Sequence, residues 1–161
     1  MGKLDIRPAR DGDAAGLIAL LTDIFAEYEG CRLDLDGEMP ELRRPAAYAE
    51  ETDSRWWVAE RDGGVVASVC ACPADDDSIE LKRLYVAAGA RRHGLGARLV
   101  ELVEREAAHR AAPYVFLWTD TRFRDAHRLY ERLGYVRADQ MRVLHDASNS
   151  IEYRYDKDLR A

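Results

Sequence analysis

Glu80-Leu81-Lys82-Arg83-Leu84-Tyr85-Val86-Ala87-Ala88-Gly89-Ala90-Arg91-Arg92-His93-Gly94-Leu95-Gly96-Ala97 reads as a strand, a turn and a glycine-rich helix start. Apolar residues stand at Ile79 and Leu81 and then at Leu84 and Val86, so the period-two alternation of a strand slips by one residue near Lys82-Arg83. Two accounts fit the slip. A β-bulge restores the register and bends the strand, as often happens beside active sites; alternatively, the strand is partly buried on both faces. At the far end, Gly94 and Gly96 open a helix whose free N–H groups and positive dipole end can receive a phosphate at close range. Arg91, Arg92 and His93 add side-chain charge.

Two other phosphate loops fail on particular residues. A P-loop requires Gly-Lys-Ser/Thr, but Gly94 is followed by Leu95 and Gly96 by Ala97. A dinucleotide fingerprint requires a third glycine or alanine where Leu99 stands. Taken alone, a Gly-x-Gly helix start is equally explained by close packing against a neighbouring element.

Upstream of the loop, Leu4–Ala9 reads as a short strand. Asp11-Gly12-Asp13 is a candidate N-cap for a helix with Leu17, Leu20, Leu21, Ile24, Phe25 and Tyr28 on its apolar stripe. Gly30–Pro40 is a polar connection, and Pro45–Glu51 a second short helix. Arg55–Arg61 and Val65–Cys72 flank Asp62-Gly63-Gly64, a hairpin turn, and Pro73 with Asp75-Asp76-Asp77 turns the chain into a third strand, Ser78–Val86. Downstream come a helix over Gly94–Arg110, a central strand at Tyr114–Thr119 and a helix from Arg124 to Leu133 closed by Gly134. Strands at Tyr135–Asp139 and Ile151–Asp156 complete the chain. This order predicts one α+β (mixed α/β) domain over residues 1–161, a central sheet covered by helices.

The 161 residues are 47% hydrophobic and 34% charged, enough for one ordinary core. A net charge of −6 disfavours nucleic acid as a partner and draws in a cationic amine at short range. No apolar run is long enough to cross a bilayer and the first residues lack a secretory core region, so a cytoplasmic protein with no membrane partner is expected. Cys31, Cys70 and Cys72 have no framework spacing and read as buried thiols, and no second ligand pair accompanies them, so no metal is expected.

The loop Arg91-Arg92-His93-Gly94-Leu95-Gly96 resembles the coenzyme A loop Gln/Arg-x-x-Gly-x-Gly/Ala of the GNAT acetyltransferase superfamily. Leu129-Tyr130-Glu131-Arg132-Leu133-Gly134-Tyr135 is similar to that family's Leu-Tyr-x-x-x-Gly-Phe/Tyr signature, and the order of elements agrees over essentially the whole chain. The resemblance implies a mostly antiparallel mixed sheet of six to seven strands with one splayed pair. It also implies acetyl-CoA as cofactor, and acetyl transfer to a primary amine of a small molecule or peptide by direct attack in a ternary complex. Homodimers are common among such enzymes. By the same resemblance, backbone groups of Leu84 and Val86, with Tyr85 between them, pair with the pantetheine arm. The N–H groups from Arg92 through His93, Gly94, Leu95 and Gly96 to Ala97 cradle the pyrophosphate, beside Arg91. Many members carry asparagine three residues before the alanine of the second motif, here Ala126; Phe123 stands there instead and is expected to pack on pantetheine or substrate.

An alkyl amine is mostly protonated at neutral pH, so acetyl transfer needs a base; Glu80 is the first candidate and Asp120 the reserve. A solvated strand glutamate is the alternative reading of Glu80. The departing sulfur needs a proton, and Tyr130 is the matching donor, with a core tyrosine as the alternative. The backbone N–H of Leu84 is a candidate donor to the carbonyl oxygen. His145, Asp146 and Ser148 contain triad residue types but lack a nucleophile elbow, and read as a polar turn. A function of a different class, a non-catalytic acyl-CoA-binding sensor or interaction module, is disfavoured by the presence of both Glu80 and Tyr130. Glu27, Glu29, Asp34 and Asp36 read either as a solvated loop or as a hint of a cationic acceptor.

Overall fold

The computed structural model describes residues 2–160. Seven strands form one sheet in the order β1-β2-β3-β4-β5-β7-β6: β1 is Asp5–Pro8, β2 Arg55–Arg61, β3 Gly64–Pro73, β4 Ile79–Val86, β5 Tyr114–Asp120, β6 Val136–Val143 and β7 Ile151–Asp158. Five helices accompany it: α1 (Ala14–Phe25), α2 (Leu35–Glu38), α3 (Pro45–Glu51), α4 (Leu95–His109) and α5 (Arg124–Arg132). All neighbours are antiparallel except β4 and β5.

The sheet has a core on each face. On one side Leu99, Val103 and Ala107 of α4 and Tyr130 of α5 meet Val69, Leu81, Val115, Leu117 and Tyr155. On the other, Leu17, Leu20, Leu21 and Ile24 of α1 meet Trp56, Val58, Cys70 and Cys72. The predicted helical stripes are the ones buried, because a 3.6-residue period gives each helix one apolar side.

Three expectations are corrected. Asp11–Asp13 is a 3-10 turn, and Asp13 does not cap α1; its carboxylate accepts from the Arg10 N–H at 2.8 Å and from both terminal nitrogens of Arg7 at 2.8 and 2.9 Å. A buried guanidinium competes better for that carboxylate than a backbone N–H. The Gly30–Pro40 connection contains α2, capped by Asp34, whose carboxylate accepts from Gly37 N–H at 3.0 Å. The strand expected at Tyr135–Asp139 runs instead over Val136–Val143, carried beyond the sequence signal by pairing with β7.

The slip in β4 is a bulge. Cys70 pairs with Lys82 but Ser68 pairs with Tyr85, so β4 holds one residue more than β3 across that interval. Arg83 absorbs it with φ of 57°, in the left-handed region. Before the bulge Ile79 and Leu81 pack on the α4 side; after it Leu84 and Val86 do, while Tyr85 faces the α1 side.

Candidate active site

β4 and β5 are joined by two register pairs, Ile79 with Val115 and Glu80 with Phe116, and then part. Beyond that point the free edge of β4 is defined by its other partner. Ala87 N–H donates to Val66 O at 2.8 Å, which makes positions 87 and 85 face β3. The backbone groups of Leu84 and Val86 therefore point into the gap.

A cleft of about 620 Å³ lies at this gap. Its walls include Leu84, Tyr85 and Val86 from β4, the loop and first turn of α4, and Phe123, Ala126 and Leu129 from the α5 segment. Of the residues expected to hold the cofactor, Leu84, Tyr85, Val86, Arg91, Arg92, Gly94, Leu95, Gly96, Ala97, Phe123 and Ala126 are brought together here. His93 is exposed and outside the lining, since the left-handed turn at Arg92 (φ 68°) precedes it. The sequence reading missed Ile24 of α1, Tyr28 just after it, and Arg128 and Arg132 of α5, among others. The two arginines carry a signal in hindsight: spaced by four, they lie on one side of a helix, beside Leu129 of the second motif.

The two glycines of the loop are required for different reasons. Gly94 has φ of 77°, and a β-carbon added to it would meet nothing within 4 Å, so the glycine is required by conformation rather than by crowding. Gly96 is the opposite case, because its β-carbon would lie 2.9 Å from Leu129 Cδ2; this glycine lets α4 and α5 approach. Close packing thus accounts for Gly96, and backbone conformation for Gly94. The first backbone bond of the helix runs from Arg98 N–H to Gly94 O at 3.1 Å, leaving the N–H groups of residues 92–97 without backbone acceptors.

Arg91 is engaged elsewhere. Its Nε donates to Val86 O at 2.9 Å and its terminal nitrogens clamp Glu27 at 2.6 and 2.8 Å, tying the loop to β4 and to the turn that follows α1. Arg92, exposed at the loop apex, retains its charge for a ligand.

Phe123 packs against Tyr28 at 4.9 Å and Phe25 at 6.4 Å between ring centres, an aromatic wall within the cleft lining. Tyr130 is buried on the α5 side among Tyr135 and Tyr155. Burial pushes its phenol above the usual tyrosine range, with Tyr85 among the groups that raise it. No protein group pairs with the Tyr130 hydroxyl, yet it is not sealed: among the described residues the sealed and unpaired side-chain polar atom is Arg7 Nε. Like Glu80, Tyr130 does not line the cleft.

Glu80 does not line the cleft. It lies on the α1 side of the sheet opposite Cys72, its carboxylate 3.8 Å from Lys82 Nζ. Asp120 is buried and held by Arg122, Nε to Oδ1 at 2.9 Å and Nη2 to Oδ2 at 2.8 Å, and that guanidinium keeps its carboxyl below the usual range despite burial. Such a carboxylate is a poor proton acceptor. Ser148 bridges to the backbone of Arg32 at 2.8 and 3.1 Å, so the polar turn between β6 and β7 docks on the segment after α1 and walls this side of the gap.

The sequence model of the acetyltransferase (GNAT) family matches residues 14–135. YhfO of Bacillus subtilis, described as an uncharacterized N-acetyltransferase, is 31% identical over 138 residues, which is 82% of this chain and 89% of YhfO. The probable N-acetyltransferase camello of Xenopus tropicalis is 33% identical over 129 residues, 76% of this chain and 58% of that protein. The chain spans about half the length of several curated relatives, 44% in the case of human N-acetyltransferase 8. Among solved structures, a GNAT-family acetyltransferase of Staphylococcus aureus Mu50 superposes with a TM-score of 0.80 at 19% identity, covering 95% of this chain and 99% of that one. The yncA protein of Salmonella typhimurium, solved with its cofactor acetyl-CoA, has a TM-score of 0.73 at 16% identity over 98% and 94% of the two chains. The chain belongs to the acetyltransferase (GNAT) family.

Proposed function

We propose that the protein is a single catalytic domain that transfers the acetyl group of acetyl-CoA to a primary amine. The observation that carries this reading is the gap between β4 and β5, bordered by the β4 edge at Leu84 and Val86, where Val86 O already accepts from Arg91 Nε, and ending at six N–H groups without backbone acceptors on the positive end of α4. These residues fit a nucleotide-bearing thioester: the N–H ring and Arg92 suit a pyrophosphate, Arg128 and Arg132 suit further phosphate, and the free strand edge suits the amides of an extended arm. Bound there, acetyl-CoA supplies an acyl group activated as a thioester.

The chain's own groups do the rest. Leu84 N–H is a donor at the bulge, where an oxygen gaining negative charge can be stabilised. Tyr130 keeps its proton through neutral pH because its burial disfavours the phenolate, so it can give that proton to sulfur. Glu80, on the acceptor face, takes the ammonium proton directly or through water. Its position outside the cofactor cleft accords with an acceptor that enters from the opposite face.

The three free thiols support a reducing, cytoplasmic setting. No described helix is long and apolar enough to cross a membrane. Val136, Met141 and Val143, exposed on the edge strand β6, support self-association as a homodimer. Titration calorimetry with acetyl-CoA and CoA, on the protein and on an Arg92→Glu, Gly94→Asp double variant, tests the reading. Saturable binding lost in the variant is expected; no binding at millimolar ligand would overturn it.

A further inference from the structure

Arg83 is the residue at which β4 changes faces, and it is held in the left-handed region that side chains rarely adopt. Strain of this kind persists where the surroundings over-determine it. Here the surroundings are Glu41, in the 3-10 turn Pro40–Arg43. Arg83 Nε donates to Glu41 Oε1 at 3.1 Å and Nη2 donates to the same oxygen. Both side chains are largely buried, Arg83 at 22% exposure and Glu41 at 10%.

The pairing is one-sided. Arg91 on Glu27 and Arg122 on Asp120 each span both oxygens of the carboxylate, but Arg83 uses a single oxygen of Glu41. Arg83 Nη1 has no acceptor in the protein, and it is not sealed either, since among the described residues Arg7 Nε is the sealed, unpaired atom. The result is a preoriented guanidinium with a free donor, outside the cleft lining and one residue before Leu84, which lines it.

The surrounding charges define what it would take. Three of the four acidic residues that hinted at a cationic acceptor have partners of their own: Glu27 holds Arg91, Asp34 caps α2 and Asp36 pairs with Arg43 at 3.0 Å. At the bulge, Lys82 and Arg83 stand beside Glu80 and Glu41, two cations and two carboxylates in alternation. That pattern complements a zwitterion better than a polyamine.

Building on the acetyltransferase reading, we propose that the acceptor is an α-amino acid whose carboxylate is bound by Arg83, placing the α-amine at the end of the cleft. In the transfer, the C–N bond forms to that nitrogen as the C–S bond breaks; the nitrogen gives up its protons to the base, and the sulfur leaves as the thiol of CoA. The test compares kcat/KM, by thiol release, for free amino acids, their α-carboxamides and their decarboxylated amines, with acetyl-CoA affinity measured calorimetrically in parallel. Preference for the free acid by about tenfold or more is expected, from one charge-assisted pair. Arg83→Gln should abolish that preference and leave acetyl-CoA affinity intact. Equal or better turnover of the amide or amine, no amino acid accepted, or an unchanged ratio in Arg83→Gln would overturn the proposal; if the variant does not fold, the wild-type ratio decides. Acetyl-CoA binding without acid preference overturns this inference alone, whereas absent acetyl-CoA binding removes the acetyltransferase reading too.

Discussion

At Gly94 a single dihedral angle sets the start of α4. Its φ of 77° strains any side chain, so Gly94→Ala should lose ~1 kcal/mol and a few degrees of melting temperature, read by thermal denaturation. Tyr130→Phe keeps the packing and removes the donor; kcat is expected to fall about 10²-fold with acetyl-CoA affinity nearly unchanged. Because burial raises the folded Tyr130 pKa, its proton is present below that raised value, and the wild-type rate should show no alkaline loss from this group below about pH 10. Glu80→Gln should cost about 10²-fold in kcat/KM at pH 7, a deficit that narrows as rising pH deprotonates the amine without help. The residue types in the loop and the second motif were legible in the chain. The engagement of Arg91 by Glu27 and the left-handed backbones of Arg83 and Arg92 were not, because each depends on a neighbour distant in sequence or on an angle that residue identity does not encode.

Between elements, two ion pairs have opposite purposes. Arg91 joins the loop to the turn after α1 through Glu27, so Glu27→Gln should weaken acetyl-CoA binding several-fold by calorimetry although Glu27 does not line the cleft. Arg7 and Asp13 fasten β1 to the start of α1, both about 10% exposed. Arg7 holds the Asp13 carboxyl below its usual range, so the folded pKa lies under the unfolded one. The stabilisation is then complete above about pH 4 and is lost as pH falls through the folded value. Asp13→Asn should cost ~3 kcal/mol at pH 7 by denaturant unfolding, since it leaves a buried guanidinium with Glu60 at 3.3 Å as its remaining carboxylate. Helices and strands with clean periods were readable from the chain, α3 over Pro45–Glu51 included. The extent of β6 and the capping of α2 were not, because pairing with β7 and a cap from Asp34 set them rather than local hydropathy.

Over the whole molecule, the function rests on two strands that part after two register pairs. An edge left free in the unliganded protein should exchange rapidly: the amides of Leu84 and Val86 are expected to be unprotected, and acetyl-CoA should slow them while raising the unfolding free energy by ~2.7 kcal/mol at a hundredfold excess over Kd, measured by hydrogen exchange and calorimetry. By itself, the chain determined which segments are helix or strand, that β4 carries an irregularity, and where the glycine-rich loop before α4 begins. Each of these is written in local periodicity and in glycines at defined offsets. Only the tertiary structure decided between a bulge and a two-faced strand, put Arg128 and Arg132 into the cleft wall, placed Glu80 on the opposite face and left one donor of Arg83 free. Those outcomes follow from register with β3, from the approach of α5 to α4 over Gly96, and from the docking of Glu41 above the bulge, all of them contacts between residues far apart in sequence.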